Sequence, residues 1–477
     1  MLLFPVLLFV PEDGWSLGKS KINFLSKDDF LHPKTQKKAD ISDLISGIDT
    51  SMTALPTAID TTIKHKNGSK GNMGAPTEGS YEVESATELQ MNDSGKENLR
   101  NFFNVLSGVA EKREKISILH YGDSQIEGDR MTGFIRQRIQ AQFGGNGPGM
   151  IPANNVYSTI TFKQTFSENF TRYTCFGGSS LKSRKYGAMA SAARFTPEYV
   201  IDSTLDLSTM EEITGWIQIS PSTNTYARAR SYNNVKMHYN DCVQPTLVRV
   251  YQDGVIIHDD SLINDGGQHT LKLNFASTPN SLKYEFIGKI SPNICAFSLE
   301  GDYGVQVSNI AMRGSSGTVF GRMNQTALSS MYRELNTKLI IMQFGGNSVP
   351  FFKDSSEVVG FANYFKSQIN TVKRLNPGAM VVVIGPSDMS TLNDGIYETY
   401  EFLPYCVEKM IEVTKSTGSA YWNLYAAMGG NNSMPSWVEK GLAGKDYIHF
   451  SNAGSKFASQ MFYNALMAEY GKSATTP

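Results

Sequence analysis

KISILHYGDSQIEGDRMTGFIRQRIQAQF, residues 115–143, is the stretch that decides the fold. Its first part, KISILHYGDS, is a short apolar run closing in glycine, which reads as a strand followed by a turn. From Gly128 to Phe143, the apolar residues Met131, Phe134, Ile135, Ile139 and Phe143 recur at spacings of three or four, so a helix is predicted there. GGNGPG then stops it. The unit is β then α, with Ser124 at its turn. Just upstream, Leu99, Phe102, Phe103, Val105 and Leu106 form another helical stripe, and ordered structure is expected from about Lys96.

Beyond this unit the pattern changes. Between about Ala153 and Val305 short runs such as TGWIQIS, TLVRVYQDG, HTLKLNFAS and LKYEFIG alternate with turn residues, which predicts an all-β sandwich with Asp253-Gly254 as a hairpin turn. The β/α alternation then resumes with the strands KLIIMQF and MVVVIG, helices over Val358–Leu375 and Glu401–Thr414, AYWNLY, and a last helix from Asn452 to Tyr470. The sandwich is therefore read as an insertion, residues 153–305. It splits one doubly wound, mostly parallel α/β domain into residues 96–152 and 306–477, a total within the size such a domain takes.

Composition removes several function classes. The 477 residues carry 44 Lys and Arg against 45 Asp and Glu, a formal charge of −1 that leaves no basic surplus for phosphates, so nucleic acid is not an expected partner. Cys175, Cys242, Cys295 and Cys406 are too widely spaced for a metal knuckle, and the histidines form no HxH or HExxH set, so no metal is expected. Residues 1–30 open with MLLFPVLLFV, shorter than the roughly 20 apolar residues a spanning helix needs. They are read as a membrane anchor or the remnant of an export signal. Residues 31–95 are rich in Thr, Ser, Lys, Asp and Gly and are read as a flexible linker, with one transient helix near Ile41–Ile48.

Ser124 follows a strand and precedes a helix, where α/β sheets place their ligands. Serine needs a base, and the base an orienting carboxylate. Asp446-Tyr447-Ile448-His449 supplies both on one turn. Acyl transfer also builds charge on a carbonyl oxygen. Asn347, after Gly345-Gly346, and the backbone N–H groups of Gly314 and Gly317 are candidate donors to it.

Together these residues resemble the SGNH hydrolases, also called the GDSL family. GDSQ is similar to the first block around the nucleophile, RGSSGT to the second, FGGNS to the third and DYIHFSNAG to the fifth. Gln125 stands where leucine is usual, and Ser348 where the third block normally has aspartate. The resemblance implies a flavodoxin-like three-layer fold, Ser124 as nucleophile, His449 as general base and Asp446 as its orienting acid. It assigns the oxyanion to Ser124 N–H, Gly317 N–H and Asn347, and calls for no cofactor. With its β insertion the chain is most similar to peptidoglycan O-acetylesterases carrying a carbohydrate-binding-module-like sandwich. The expected activity is removal of O-acetyl groups from a cell-envelope glycan, peptidoglycan first, in the periplasm or cell envelope, with the N-terminus associated with a membrane. The alternatives are an O-acetyltransferase of a surface polysaccharide using the same triad, and a non-catalytic glycan-binding protein.

Overall fold

The computed structural model describes residues 15–17, 20–22, 35–46, 88–199 and 205–475. Apart from a short antiparallel pair, Trp15–Leu17 with Ser20–Ile22, the anchor expected over residues 1–30 lies outside them, as does most of residues 31–95. Among the described residues no helix is long and apolar enough to cross a membrane.

The central sheet is built from β1 (Leu89–Gln90), β2 (Lys115–Gly122), β3 (Gly304–Ala311), β4 (Thr337–Gln343), β5 (Met380–Ile384) and β6 (Ala420–Trp422), in the order β3-β2-β4-β5-β6-β1. Its pairs are parallel except for β1, which runs antiparallel on the edge. The five parallel strands thus follow the 2-1-3-4-5 order of flavodoxin-like sheets, whose switch point lies between the first and third strands.

Among the described residues the six longest helices cover the two faces: α1 (Asp93–Gly108), α2 (Thr132–Phe143), α3 (Gln325–Glu334), α4 (Ser355–Leu375), α5 (Leu403–Ser416) and α6 (Asn452–Thr475). Successive residues of β5 turn to opposite sides, as a pleat requires. Val381 and Val383 join the apolar cluster of α3, α4 and α5, while Val382 and Ile384 join that of α1, α2 and α6. Helix α1 begins three residues before the expected start because the Asn92 side chain accepts from Gly95 N at 2.8 Å and caps it. Helix α2 begins at Thr132 and not at Gly128, because the chain first makes a 3₁₀ turn over Ser124–Asp129, broken by Gly128 at φ 69°.

The β-rich region forms two antiparallel sheets. One contains Asn234–Asn240, Asn293–Glu300 and their neighbours. The other orders Val255–Ser261, Leu247–Gln252, Leu282–Gly288, Ile213–Pro221 and Phe162–Phe166 side by side. Val235, Met237 and Phe297 of the first meet Ile217, Val250 and Phe286 of the second in a common apolar core. Asp253 and Gly254 turn between their strands at φ 50° and 90°, as a two-residue hairpin of the primed type requires. Gly149–Pro152, assigned from sequence to the α/β part, pairs with Asn293–Glu300, so the chain enters these sheets earlier than residue 153.

Part of the expected linker is packed, which corrects the reading of residues 31–95. Ala39 N–H donates to Asn432 O at 3.0 Å and Ser436 Oγ to Ala39 O at 2.6 Å. Ile41 is buried in the core beside α6. Ile41, with Ala39, Leu44 and Ile45 packed beside it and hydrogen bonds at Ala39, fixes a segment whose composition is otherwise that of a tether.

Candidate active site

Strand β2 delivers Ser124 to the carboxyl edge of the sheet at the switch point. Gly122 is required there, since a Cβ would fall 2.8 Å from Ile126 Cδ1 and 3.2 Å from Gln343 O. Asp123 then starts the 3₁₀ turn by accepting from Gln125 N–H at 2.9 Å.

Ser124 Oγ lies 2.8 Å from His449 Nε2, and His449 Nδ1 lies 2.8 Å from Asp446 Oδ2. Burial opposes ionisation of Asp446. The bonds it accepts from the His449 ring and from the backbone N–H groups of His449 and Ile448 outweigh that and hold its carboxyl below the usual range. An ionised Asp446 can only accept, so Nδ1 carries the proton and Nε2 accepts from the serine hydroxyl.

Two residues hold the histidine turn against the serine turn. Gln125 Nε2 donates to Ile448 O at 2.7 Å and its Oε1 accepts from Phe450 N–H at 3.3 Å. Arg130 donates to Phe450 O at 3.3 Å and also to Ser124 O. Neither role is legible in the sequence, because the partners are backbone carbonyls some 320 residues away.

The three expected oxyanion donors divide. Ser124 and Asn347 line a pocket of about 360 Å³ together with His449 and Gly314. Gly317 does not, and its assignment is corrected. It is buried, its N–H donates to Ser315 Oγ at 3.1 Å, and a Cβ there would fall 2.6 Å from the Phe344 ring. Gly317 is glycine for packing. Gly314, at φ 76° with open space around it, is the glycine that faces the pocket. Asn347 Nδ2 donates to Ser315 O at 3.1 Å and to Asp123 Oδ2 at 3.2 Å. Burial raises Asp123 to about 6, with the Gln125 N–H and His449 pulling the other way.

On the other side of Ser124 and His449 a second hollow, about 470 Å³, reaches Glu127, Arg130 and Asp446, and the β-rich region walls it with Ser158, Thr159 and Ile160. Below that wall Arg136 forms a buried pair with Asp129 at 2.5 Å, and Thr161 Oγ1 joins Asp129 at 2.6 Å. Arg136 is buried because it faces the sheet, its Nε donating to Val307 O at 2.6 Å, while Tyr226–Arg230 covers the neighbouring face of α2, with Arg228 N–H on Gln137 Oε1 at 3.0 Å and Tyr226 against Phe134.

Other candidates fall into the scaffold. His120 is buried between Thr132 Oγ1 (2.9 Å) and Gln343 Oε1 (3.1 Å), and burial lowers its pKa to about 4. All four cysteines are free thiols. Among the described residues no group of three or more His, Cys, Asp or Glu is placed to hold a metal ion. In the β-rich region Tyr226 and Tyr232 are buried, whereas Trp216 is half-buried on the outer side of its strand.

No family model and no curated protein matches the chain. Among solved structures, a peptidoglycan O-acetylesterase superposes with a TM-score of 0.62 at 19% identity, covering 78% of this chain and 96% of its own. The chain has the fold of that esterase. The match spans nearly the whole esterase chain, so the esterase fold includes most of what is described above. A family two carbohydrate esterase from Clostridium thermocellum, in complex with cellohexaose, matches at 11% identity over 55% of this chain and 94% of its own, with a TM-score of 0.24. A salicylyl-acyltransferase from a tetracycline biosynthetic pathway matches at 10% identity over 63% and 95%, with a TM-score of 0.26.

Proposed function

We propose that the chain is a serine esterase that removes O-acetyl groups from a cell-envelope glycan, with O-acetylated peptidoglycan as its substrate. The observation that carries this is the aligned set Ser124 Oγ, His449 Nε2, His449 Nδ1 and Asp446 Oδ2, with 2.8 Å at each contact, at the switch point of the sheet. As Ser124 Oγ attacks the acetyl carbonyl carbon, His449 Nε2 takes its proton and Asp446 stabilises the imidazolium. The oxyanion is met by the backbone N–H groups of Ser124 and Gly314 and by Asn347, which exchanges its bond to Ser315 O for one to the substrate. Collapse expels the sugar oxygen, protonated by His449, and leaves acetyl-Ser124. Water then attacks with His449 as base, releasing acetate. These steps draw on no cofactor.

The peptidoglycan assignment is supported by the likeness of fold to the O-acetylesterase and by the second hollow of about 470 Å³ beside Ser124, walled by the β-rich region. We read that region as an inserted sandwich that shapes the glycan side of the cleft, and place the enzyme in the periplasm or cell envelope, held near a membrane by its N-terminus. The test is acetate release from native O-acetylated peptidoglycan, with acetylated xylan as competitor. Ser124→Ala is expected to lower release by roughly four orders of magnitude or more. Unchanged release in Ser124→Ala would refute the mechanism. Turnover of xylan alone would refute the substrate, and transfer of the acetyl group to added sugar in preference to water would identify a transferase.

A further inference from the structure

The Asp446–His449 turn is clamped from inside by Gln125 and Arg130. Its outer side is held by a different part of the chain. Tyr447, between the acid and the histidine, has φ 56°, a conformation that residues with a side chain adopt only where their surroundings hold them. Two contacts do so. Ser390 N–H donates to Tyr447 O at 3.0 Å, and the Tyr397 ring stacks face to face on the Tyr447 ring, with centroids 3.5 Å apart and planes 7° from parallel. Ser390 and Tyr397 belong to one small hairpin, Ser390–Asn393 with Ile396–Thr399.

That hairpin is in turn gripped by the N-terminal segment. The Gln36 side chain pairs with the Tyr397 backbone in both directions: Nε2 donates to Tyr397 O at 2.5 Å, and Oε1 accepts from Tyr397 N–H at 3.0 Å. Lys37 pairs with Glu398 at 3.6 Å and Lys38 with Glu439 at 2.8 Å, while Ile41 anchors the segment in the core. Arm and hairpin also share Asn432, whose carbonyl accepts from Ala39 N–H and whose side chain accepts from Thr399 N–H at 3.1 Å.

We infer that Tyr397 and Gln36 are positioning residues for the Asp446–His449 turn, so that the segment 35–46 is a working part of the active site although it touches none of the reacting atoms. The inference rests on the reading of Asp446 and His449 as the catalytic pair. A ring stacked on Tyr447 fixes the tilt of the turn, and with it the line from Asp446 through His449 to Ser124. Misalignment in that line acts on the chemical step and not on substrate binding, because neither residue faces the cleft.

The experiment uses the full chain, with an aryl acetate as probe. Tyr397→Ala is expected to lower kcat about 10-fold and Gln36→Ala about 3-fold, each with KM changed by less than about 2-fold, and Tyr397→Phe, which keeps the stacked ring, to restore kcat to within about 2-fold. The second readout does not need turnover. The hydrogen-bonded Nδ1 proton of His449, followed by proton NMR, is expected to exchange faster with water in Tyr397→Ala and Gln36→Ala than in the unaltered chain. Normal kcat in a folded Tyr397→Ala, failure of Tyr397→Phe to restore it, or unchanged proton exchange would each overturn the inference. If the unaltered chain turns over no ester, the esterase reading fails, and the exchange comparison still decides whether Tyr397 and Gln36 hold the turn.

Discussion

Leu282–Gly288 alternates buried and half-buried residues along its length, whereas Asn293–Glu300, the next strand in the chain, is buried at every position. Both belong to the β-rich region and both are antiparallel. The difference lies in what covers them. The sheet containing Leu282–Gly288 shares one face with the common core and gives the other, with Trp216 and Lys283, to water. The sheet containing Asn293–Glu300 is roofed twice: Phe297 and Leu299 face the second sheet, while Cys295 and Ala296 join the cluster of β2, β4 and α3. Tyr121 on β2 crosses this seam, donating to Ala188 O at 2.7 Å. The near sheet is thus mechanically part of the α/β unit, and only the far sheet has the two-sided character of an independent module.

The seam is the place to break that comparison. Arg136→Met leaves Asp129 buried without its guanidinium, and loss of one partner of such a pair costs about 3–5 kcal/mol. Denaturant unfolding should show a drop of that size in one transition that includes both regions. A separate early transition for the β-rich region alone would mean that the near sheet is not integrated as described.

A smaller effect sharpens the contrast between holding the fold and holding the site. Gln125→Leu introduces the residue usual in the hydrolases that the motif resembles but removes the bonds to Ile448 O and Phe450 N–H. Ester turnover should fall about 10-fold with the melting temperature nearly unchanged, as expected when a contact that aligns reacting groups is lost. A loss of stability with normal turnover would move Gln125 from the site to the scaffold.

The smallest effect concerns Asp123. Its folded pKa of about 6 lies above the ordinary 3.8, so the folded chain holds this proton more tightly than the unfolded chain. The contribution is present below about pH 4 and is lost as pH rises through about 6. Asp123→Asn has no such proton to lose. Its melting temperature relative to the unaltered chain should therefore improve by a few degrees between pH 4 and pH 7, and a difference that stays flat with pH would contradict the burial argument.

Asp446 and His449 are legible in the sequence because their three-residue spacing is already the geometry of the pair, and Ser124 because it closes an apolar run in a short motif; the 325 residues between Ser124 and His449 are bridged only by the fold. The α/β character of the split domain is legible too, since apolar runs alternate with helical stripes, whereas the order of the strands appears only when they pair. Gly314 and Gly317 are not separable in this way. A glycine that admits an oxyanion and a glycine that admits the Phe344 ring look alike until Phe344 is placed. The burial of Arg136 is not legible, because the strand carbonyl it meets, Val307 O, lies 171 residues further on. Gln36 is the extreme case: it sits in a polar stretch, and its partner is 361 residues away.

The position of the β-rich region also sets a timetable. Strand β2 lies in the interior of the parallel sheet, and both of its partners, β3 and β4, come after the β-rich region. About 180 residues separate the end of β2 from the start of β3, which at ordinary rates of synthesis is on the order of 10–40 s on the ribosome. During that interval an eight-residue strand rich in isoleucine and leucine has neither neighbour, and its pairing must wait for long-range closure. The strand that leads to Ser124 is therefore among the first parts of the sheet to be synthesised and among the last to be enclosed, which makes the newborn chain most vulnerable to aggregation at the very edge of its candidate site.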